Sequence, residues 1–299
     1  MPPLRIIEQP ELREPTLIAA FAGWSDAGSA ATAAAQYLID RWHAPVLAEL
    51  DAEAFYDFTQ IRPTVRYTEG TYRKIIWPQN NFYYHQTPER DLIIFNGIEP
   101  HLQWHSYVNA VLEIIDRFHV SLFVSLGAMF VDFPHTRPMR VTGSAPTDEM
   151  AAKAGIVVRG RGRYEGPTGI SGVLGATLRD REMPLSSIWA NVPHYVSATP
   201  NPTASLALLR SVHGMLSVEV PLGRMIRASA MFDTQLQEAT SKNAEVSEYV
   251  RTLEERIDAH GEDAAEEPHV EEELPEAETV VEDIEEFFRR LQGPRGGEG

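Results

Sequence analysis

"TLIAAFAGWSDAGSAATAAAQYLID" (residues 16–40) decides the fold. Its first seven residues are an unbroken apolar run between Pro15 and Gly23, the pattern of a strand buried on both faces. Gly23 ends the run. The residues after it fit a helix of about 14 residues, with Ser25 or Asp26 as its N-cap. Ala30, Ala31, Ala33, Ala34 and Ala35 give that helix a thin face that can lie close to a sheet, and Gly28 is expected at the point of closest approach. A doubly buried strand feeding a sheet-packed helix is the unit of an α/β fold.

The rest of the chain repeats that alternation. "PVLAEL" (45–50), "DLIIFNG" (91–97), "VSLFVSLGAMF" (120–130) and "SSIWANVPHY" (186–195) read as strands. Residues 103–118, with Val108, Val111, Leu112 and Ile115 at helical spacing, read as a helix, as do the residues after "GPTGISG" (166–172) and residues 201–214. The aromatic-rich stretch 52–86 reads as short strands or a hairpin. Residues 131–150 read as one polar, proline-rich loop. The expected fold class is therefore α/β, a mostly parallel sheet flanked by helices, over residues 1–220.

Residues 221–260 are helical in pattern. Phe232, Leu236, Ala239, Val246, Val250, Leu253 and Ile257 form one apolar stripe in which Asn243 is either a buried polar position within one long helix or the cap of a second, and two helices with a break near Asn243 are expected. The stripe must be covered by the body or by another subunit. Residues 261–299 hold fourteen Asp/Glu against three Arg, a net of −11 out of −17 for the 299 residues. Such a composition is expected to be largely disordered, with one short helix near 280–292, "VVEDIEEFFRRLQ".

Composition excludes several classes. There is no Cys, hence no disulfide, thiolate metal site or cysteine nucleophile. The N-terminus carries charges and prolines where a signal peptide needs an apolar run, and no stretch approaches the roughly 18 apolar residues of a membrane span. A soluble cytoplasmic protein is expected. The acidity belongs mainly to residues 261–299 and says little about the body, but no phosphate-binding surface for nucleic acid is expected. His135 and His194 share no metal-ligand spacing with a local carboxylate, so neither a metal nor a cofactor is expected.

Open parallel sheets bind ligands beyond the carboxyl ends of their strands. Four stretches fall there: "GWSDAG" (23–28), "FPHTRP" (133–138), "YEGPTGISG" (164–172) and "NVPHY" (191–195). Two readings stand for each. Trp24 stacks on a ligand or wedges the packing; Asp26 is a pocket carboxylate or an N-cap. Thr168 and Gly169 cradle an anion at a helix start or simply turn the chain. Arg137, beside His135, clamps a carboxylate or phosphate or ties its loop to the body by an ion pair. Asn191, His194 and Tyr195 complete the candidate ligand-binding set. The stretch "RGRGR" (159–163) reads as a basic loop. There is no Gly-x-Ser-x-Gly elbow, no dinucleotide fingerprint and no P-loop, so no catalytic residue is named.

"LIAAFAGWSDAGSAATAAAQYL", "VSLGAMFVDFPHTRP", "YEGPTGISGVL", "WANVPHYVSATPNPTASLALL" and "EVSEYVRTLEERID", in that order, resemble the actinobacterial branch of the PAC2 (proteasome assembly chaperone 2-like) family over roughly residues 10–260. The resemblance implies a core like that of nucleoside phosphorylases and a homo-oligomer, possibly a trimer. It implies a non-enzymatic assembly or interaction protein, with a small-molecule binder or enzyme of the phosphorylase-like cleft as the alternative. Eukaryotic and archaeal relatives that dock on proteasomes do so through a C-terminal hydrophobic–Tyr–any ending. This chain ends "QGPRGGEG", which puts that mode of docking in doubt.

Overall fold

The computed structural model describes residues 3–68, 72–158, 165–196 and 198–260. The acidic segment 261–299, its expected helix near 280–292 and the stretch "RGRGR" lie outside the described residues. Along the chain run β1 (Leu4–Ile6), β2 (Thr16–Ala22), α1 (Ala30–Trp42), β3 (Val46–Leu50), α2 (Ala52–Phe55), β4 (Thr64–Thr68), β5 (Tyr72–Ile76), β6 (Asn81–His85) and β7 (Leu92–Ile98). They are followed by α3 (Trp104–Arg117), β8 (Leu122–Val131), β9 (Val141–Ser144), α4 (Asp148–Ala154), β10 (Val157–Val158), α5 (Ile170–Asp180), β11 (Leu185–Pro193), α6 (Pro202–Leu216), α7 (Gly223–Ser241) and α8 (Ala244–His260).

Nine strands form one mixed sheet in the order β1-β3-β6-β7-β2-β8-β11-β9-β10. The four central strands, β7, β2, β8 and β11, run parallel, and they are the apolar runs of the sequence. The edges turn antiparallel: β6 against β7, β3 against β6, β1 against β3, and β9 against β11. β4 and β5 pair only with each other, as a separate antiparallel hairpin.

Alternation along the central strands sends two sets of side chains to opposite faces. Ile18, Ala20, Val124, Leu126 and Ile188 meet Ala30, Ala31, Ala34 and Ala35 of α1 together with Leu208 and Val212 of α6. All of these are 0–1% exposed, so the alanine face lies against the sheet as its composition anticipates. On the other face Leu17, Phe21, Phe95 and Phe123 meet Val111 and Ile114 of α3 and Leu174 of α5.

Three stretches differ from the sequence reading, and the first is 52–86, which opens with the short helix α2 ahead of its strands. The loop 131–150 contains a strand and a helix start. β9 is only four residues long and is held by the register Trp189↔Thr142 on β11. α4 begins at a cap that the sequence displays: the Thr147 hydroxyl accepts from the Met150 N–H at 3.2 Å, with Asp148 and Glu149 in the first turn. β1 lies in the charged N-terminal stretch and is held by pairing with β3, a tertiary contact with no local signature.

The break near Asn243 is present. Its side-chain oxygen accepts from the N–H groups of Glu245 and Val246, at 2.9 and 3.3 Å, and so starts α8. The stripe of α7 and α8 closes over the chain's own residues: Phe232, Leu236, Val246, Tyr249, Val250 and Leu253 form a third apolar cluster with Tyr195 and Val196. Leu253 is 1% exposed. Leu253→Asp puts a carboxylate into that seam and should cost about 3 kcal/mol or more. The melting temperature should fall by roughly 2–4 °C per kcal/mol. Thr252→Lys, on the exposed side of the same turn, should stay within about 0.5 kcal/mol of the parent. Equal melting curves for the two variants would show that the seam is open.

Candidate functional site

The carboxyl ends of β2, β8 and β11 carry the candidate residues, but in three separate settings.

The first is the start of α1. Asp26 is 8% exposed. Its Oδ1 accepts from the Ala31 N–H at 2.7 Å and from the Thr32 N–H at 3.3 Å, and its Oδ2 accepts from the Thr32 hydroxyl. A single turn, Ala27–Ser29, intervenes, so Asp26 caps α1 from one turn ahead of the usual position. Burial holds its carboxyl above the ordinary 3.8, against the lowering effect of the Thr32 hydroxyl and the two N–H groups. Gly28 sits at φ +60, and a Cβ there would come within 2.9 Å of Asn201 Cβ. The close neighbour of Gly28 is thus the start of α6, not the sheet as the alanine run suggested. The Gly28 carbonyl accepts from the Asn201 N–H at 2.8 Å. Asn201 in turn caps α6 by accepting from the Ala204 N–H at 3.0 Å.

The second setting is the start of α5. Trp24, 63% exposed, lies against Gly169, and Thr168 is exposed. The glycine-rich turn faces a carboxylate of the chain itself. Glu99, just beyond β7, accepts from the Ile170 N–H at 2.7 Å, and a Cβ on Gly169 would come within 2.7 Å of the same oxygen. Nothing local in "NGIEP" (96–100) marks Glu99 for this role; the only signal is its place after a central strand.

The third setting is the loop 133–138 with the end of β11. Arg137 does not point into an open cleft: it donates to both oxygens of Asp258 on α8, at 2.8 and 3.0 Å. Thr136 donates to Glu254 of the same helix. The buried Tyr195 hydroxyl accepts from the His135 N–H at 2.7 Å and bonds His135 Nδ1 at 2.8 Å. Burial lowers the affinity of the His135 ring for a proton, against Asp233 and Glu254, which raise it. Burial also raises Tyr195 and Tyr249 above the ordinary phenol range. His194 lies between Tyr249, 3.1 Å from Nε2, and Asp132, whose Oδ1 is 2.9 Å from Nδ1. The rings of His194, Tyr195 and Tyr249 meet edge to face with centroids 5.6–5.8 Å apart.

One cavity adjoins this third setting. It brings together His135, Arg137 and Asn191 with Asn201, Thr203 and Asp233, and leaves only about 30 Å³ for the centres of water molecules. That is room for one or two waters. Trp24, Asp26, Gly28, Thr168, Gly169, His194 and Tyr195 do not line it. Among the described residues, no group of three His, Cys, Asp or Glu could hold a metal ion, and no helix is long and apolar enough to cross a membrane.

A family model, the PAC2 family, matches residues 20–240. A solved PAC2 family protein from Streptomyces avermitilis is 40% identical, with a TM-score of 0.70 over 79% of this chain and 99% of that one. A proteasome-assembly chaperone homologue of Mycobacterium tuberculosis is 39% identical, with a TM-score of 0.69 over the same shares. A protein of unknown function from Corynebacterium glutamicum, 28% identical, has a TM-score of 0.79 over 87% of this chain and 99% of its own. Among curated proteins nothing matches.

The capping role of Asp26 has a stability signature. Asp26→Ala leaves the Ala31 N–H without its partner and should cost about 1–3 kcal/mol. Asp26→Asn keeps an acceptor and removes a buried charge, so it should melt at or above the parent temperature at neutral pH. The pH dependence has a definite sign. A carboxyl whose folded pKa is raised binds protons more tightly in the native state, so parent stability should fall as pH rises from 3.8 through the raised value. Asp26→Asn should lack that fall, and its advantage should grow over the same interval. A melting temperature that rises in Asp26→Ala would exclude the capping role.

Proposed function

The chain belongs to the PAC2 family, and from that premise we propose that it is a cytoplasmic, non-enzymatic protein that associates with its own copies and acts through its surface as an assembly or interaction factor. The observation that carries this reading is the occupancy of the crevice by the chain itself. Asp26, Glu99 and Asn201 take the N–H groups that begin α1, α5 and α6. These are the helix N-termini at which α/β folds hold anionic ligands. Asp258 takes Arg137, and α8 lies over the loop that carries it. In this reading residues 1–220 are the body, and residues 221–260 are the cover that closes its carboxyl-end rim.

The likeness to a proteasome-assembly chaperone homologue supports a chaperone-like role at the level of the family. One observation favours a small-ligand site instead: His135 Nε2 is buried without a protein partner. The cavity beside it has room for the one or two waters that would satisfy that atom, and this is a smaller requirement than a substrate pocket of about 300 Å³ or more.

A thermal-shift series with 1 mM phosphate, nucleosides or nucleotides separates the two readings. A ligand bound with a dissociation constant near 10 μM stabilises by about 2.7 kcal/mol at that concentration, a shift of roughly 5–10 °C. The expected shift is under about 1 °C for every compound, together with a light-scattering mass that is a multiple of the single chain. A saturable shift of several degrees would overturn the non-enzymatic reading, and a monomeric mass the self-association.

A further inference from the structure

The hairpin β4–β5 belongs to neither face of the main sheet. Among the described residues it pairs with no other strand, and its described side chains are exposed on both of its own faces, apart from the half-buried Ile76. Val65 and Ile75 face each other across the pair, and Tyr67 faces Arg73. Val65, Tyr67 and Ile75 are 55–71% exposed, an apolar strip left in water. Arg66 and Lys74, a facing pair, put two cations on the other side. An isolated two-stranded hairpin is marginal in water. An arm of about 17 Å that keeps apolar residues on its outside is a surface waiting for a partner.

At the root of the arm lies a groove of opposite character. It holds about 490 Å³ between the end of β3, α2 and the start of β6. Glu49, Asp51 and Glu53 line it beside Phe58 and Trp77, whose rings meet edge to face at 5.0 Å. Trp77 is 52% exposed. Arg5 pairs with Glu49, which leaves the groove acidic. Carboxylates beside exposed aromatic faces suit a guanidinium or ammonium with apolar neighbours. On the arm Arg73, 5.6 Å over the Tyr67 ring and on the same face as Val65 and Ile75, offers that set of groups.

We propose that the arm of one copy docks in the acidic groove of a second copy, so that β4–β5 is the arm through which the chain self-associates. The inference rests on the homo-oligomer reading above and assigns it a surface. The contact is head-to-tail: arm and groove are different patches of one chain, so successive copies close a ring or extend a row. The charge match makes the association weaken with salt.

The test is charge reversal in the full chain, read by sedimentation velocity at about 10 μM, with melting curves to confirm folding. Arg73→Glu with Lys74→Glu, and separately Glu49→Lys with Glu53→Lys, should each raise the dissociation constant at least tenfold. Because the arm is exposed, its variant should melt with the parent. Mixing the two variants, or joining all four changes in one chain, should restore association. A parent that sediments as a monomer would remove the homo-oligomer reading and this surface with it. An oligomer unmoved by both reversals would leave the reading in place and overturn the arm. Association lost on deleting residues 261–299 but kept on reversing the groove would overturn it too, because the arm's partner would then be the acidic C-terminal segment and not the groove.

Discussion

Three helices begin at the carboxyl-end rim of the sheet, and each begins with backbone N–H groups that no carbonyl of its own helix can satisfy. The chain meets that requirement with its own oxygens: Asp26 for α1, Glu99 for α5 and Asn201 for α6. Much of the local geometry follows. Asp26 must be buried to reach Ala31 and Thr32, and burial raises its pKa. Gly28 must take a positive φ so that its carbonyl meets the Asn201 N–H without a Cβ against Asn201. Gly169 must lack a Cβ so that Glu99 can approach α5. A rim that in other α/β folds is left open to an anion is here completed from within.

The second constraint is the apolar seam under α8. Tyr195 lies at the end of β11, where strand side chains would otherwise meet solvent. Val246, Tyr249, Val250 and Leu253 cover it. The polar contacts around the seam, Thr136 with Glu254, Arg137 with Asp258 and His194 with Tyr249, are its rim. Exposed ion pairs such as Arg137–Asp258 contribute little to stability, about 0–1 kcal/mol. They set the angle at which α8 lies, while the buried rings hold it there. The result is that Thr136 and Arg137 of the third setting are engaged by a helix that follows them by more than a hundred residues.

The groups left unengaged lie elsewhere. The exposed aromatic and aliphatic residues of β4–β5 and the acidic groove beside it are remote in topology from the rim, at the edge where β3 and β6 run antiparallel. The rim is satisfied from within while the arm keeps apolar side chains in water, and the association proposed above rests on that contrast.

The central strands, α1, α3, α5, α6 and the break at Asn243 are all present in the sequence as apolar runs, periodic stripes, glycine stops and caps. Those signals are local: a doubly buried strand must be apolar at every position, and a helix start must offer an acceptor within a few residues. The family was legible too, because its motifs keep their order along the chain. β1, β9 and the antiparallel edges were not, because short edge strands are held by pairing with partners distant in sequence and need no composition of their own. The candidate site divides in the same way. Asp26 as a cap could be read from its position before an alanine-rich helix. That Glu99 fills the cradle at Gly169, and that Asp258 takes Arg137, depends on contacts across 71 and 121 residues. Only the folded chain brings those charges together, since their attraction acts through space and leaves no mark on the spacing of either partner.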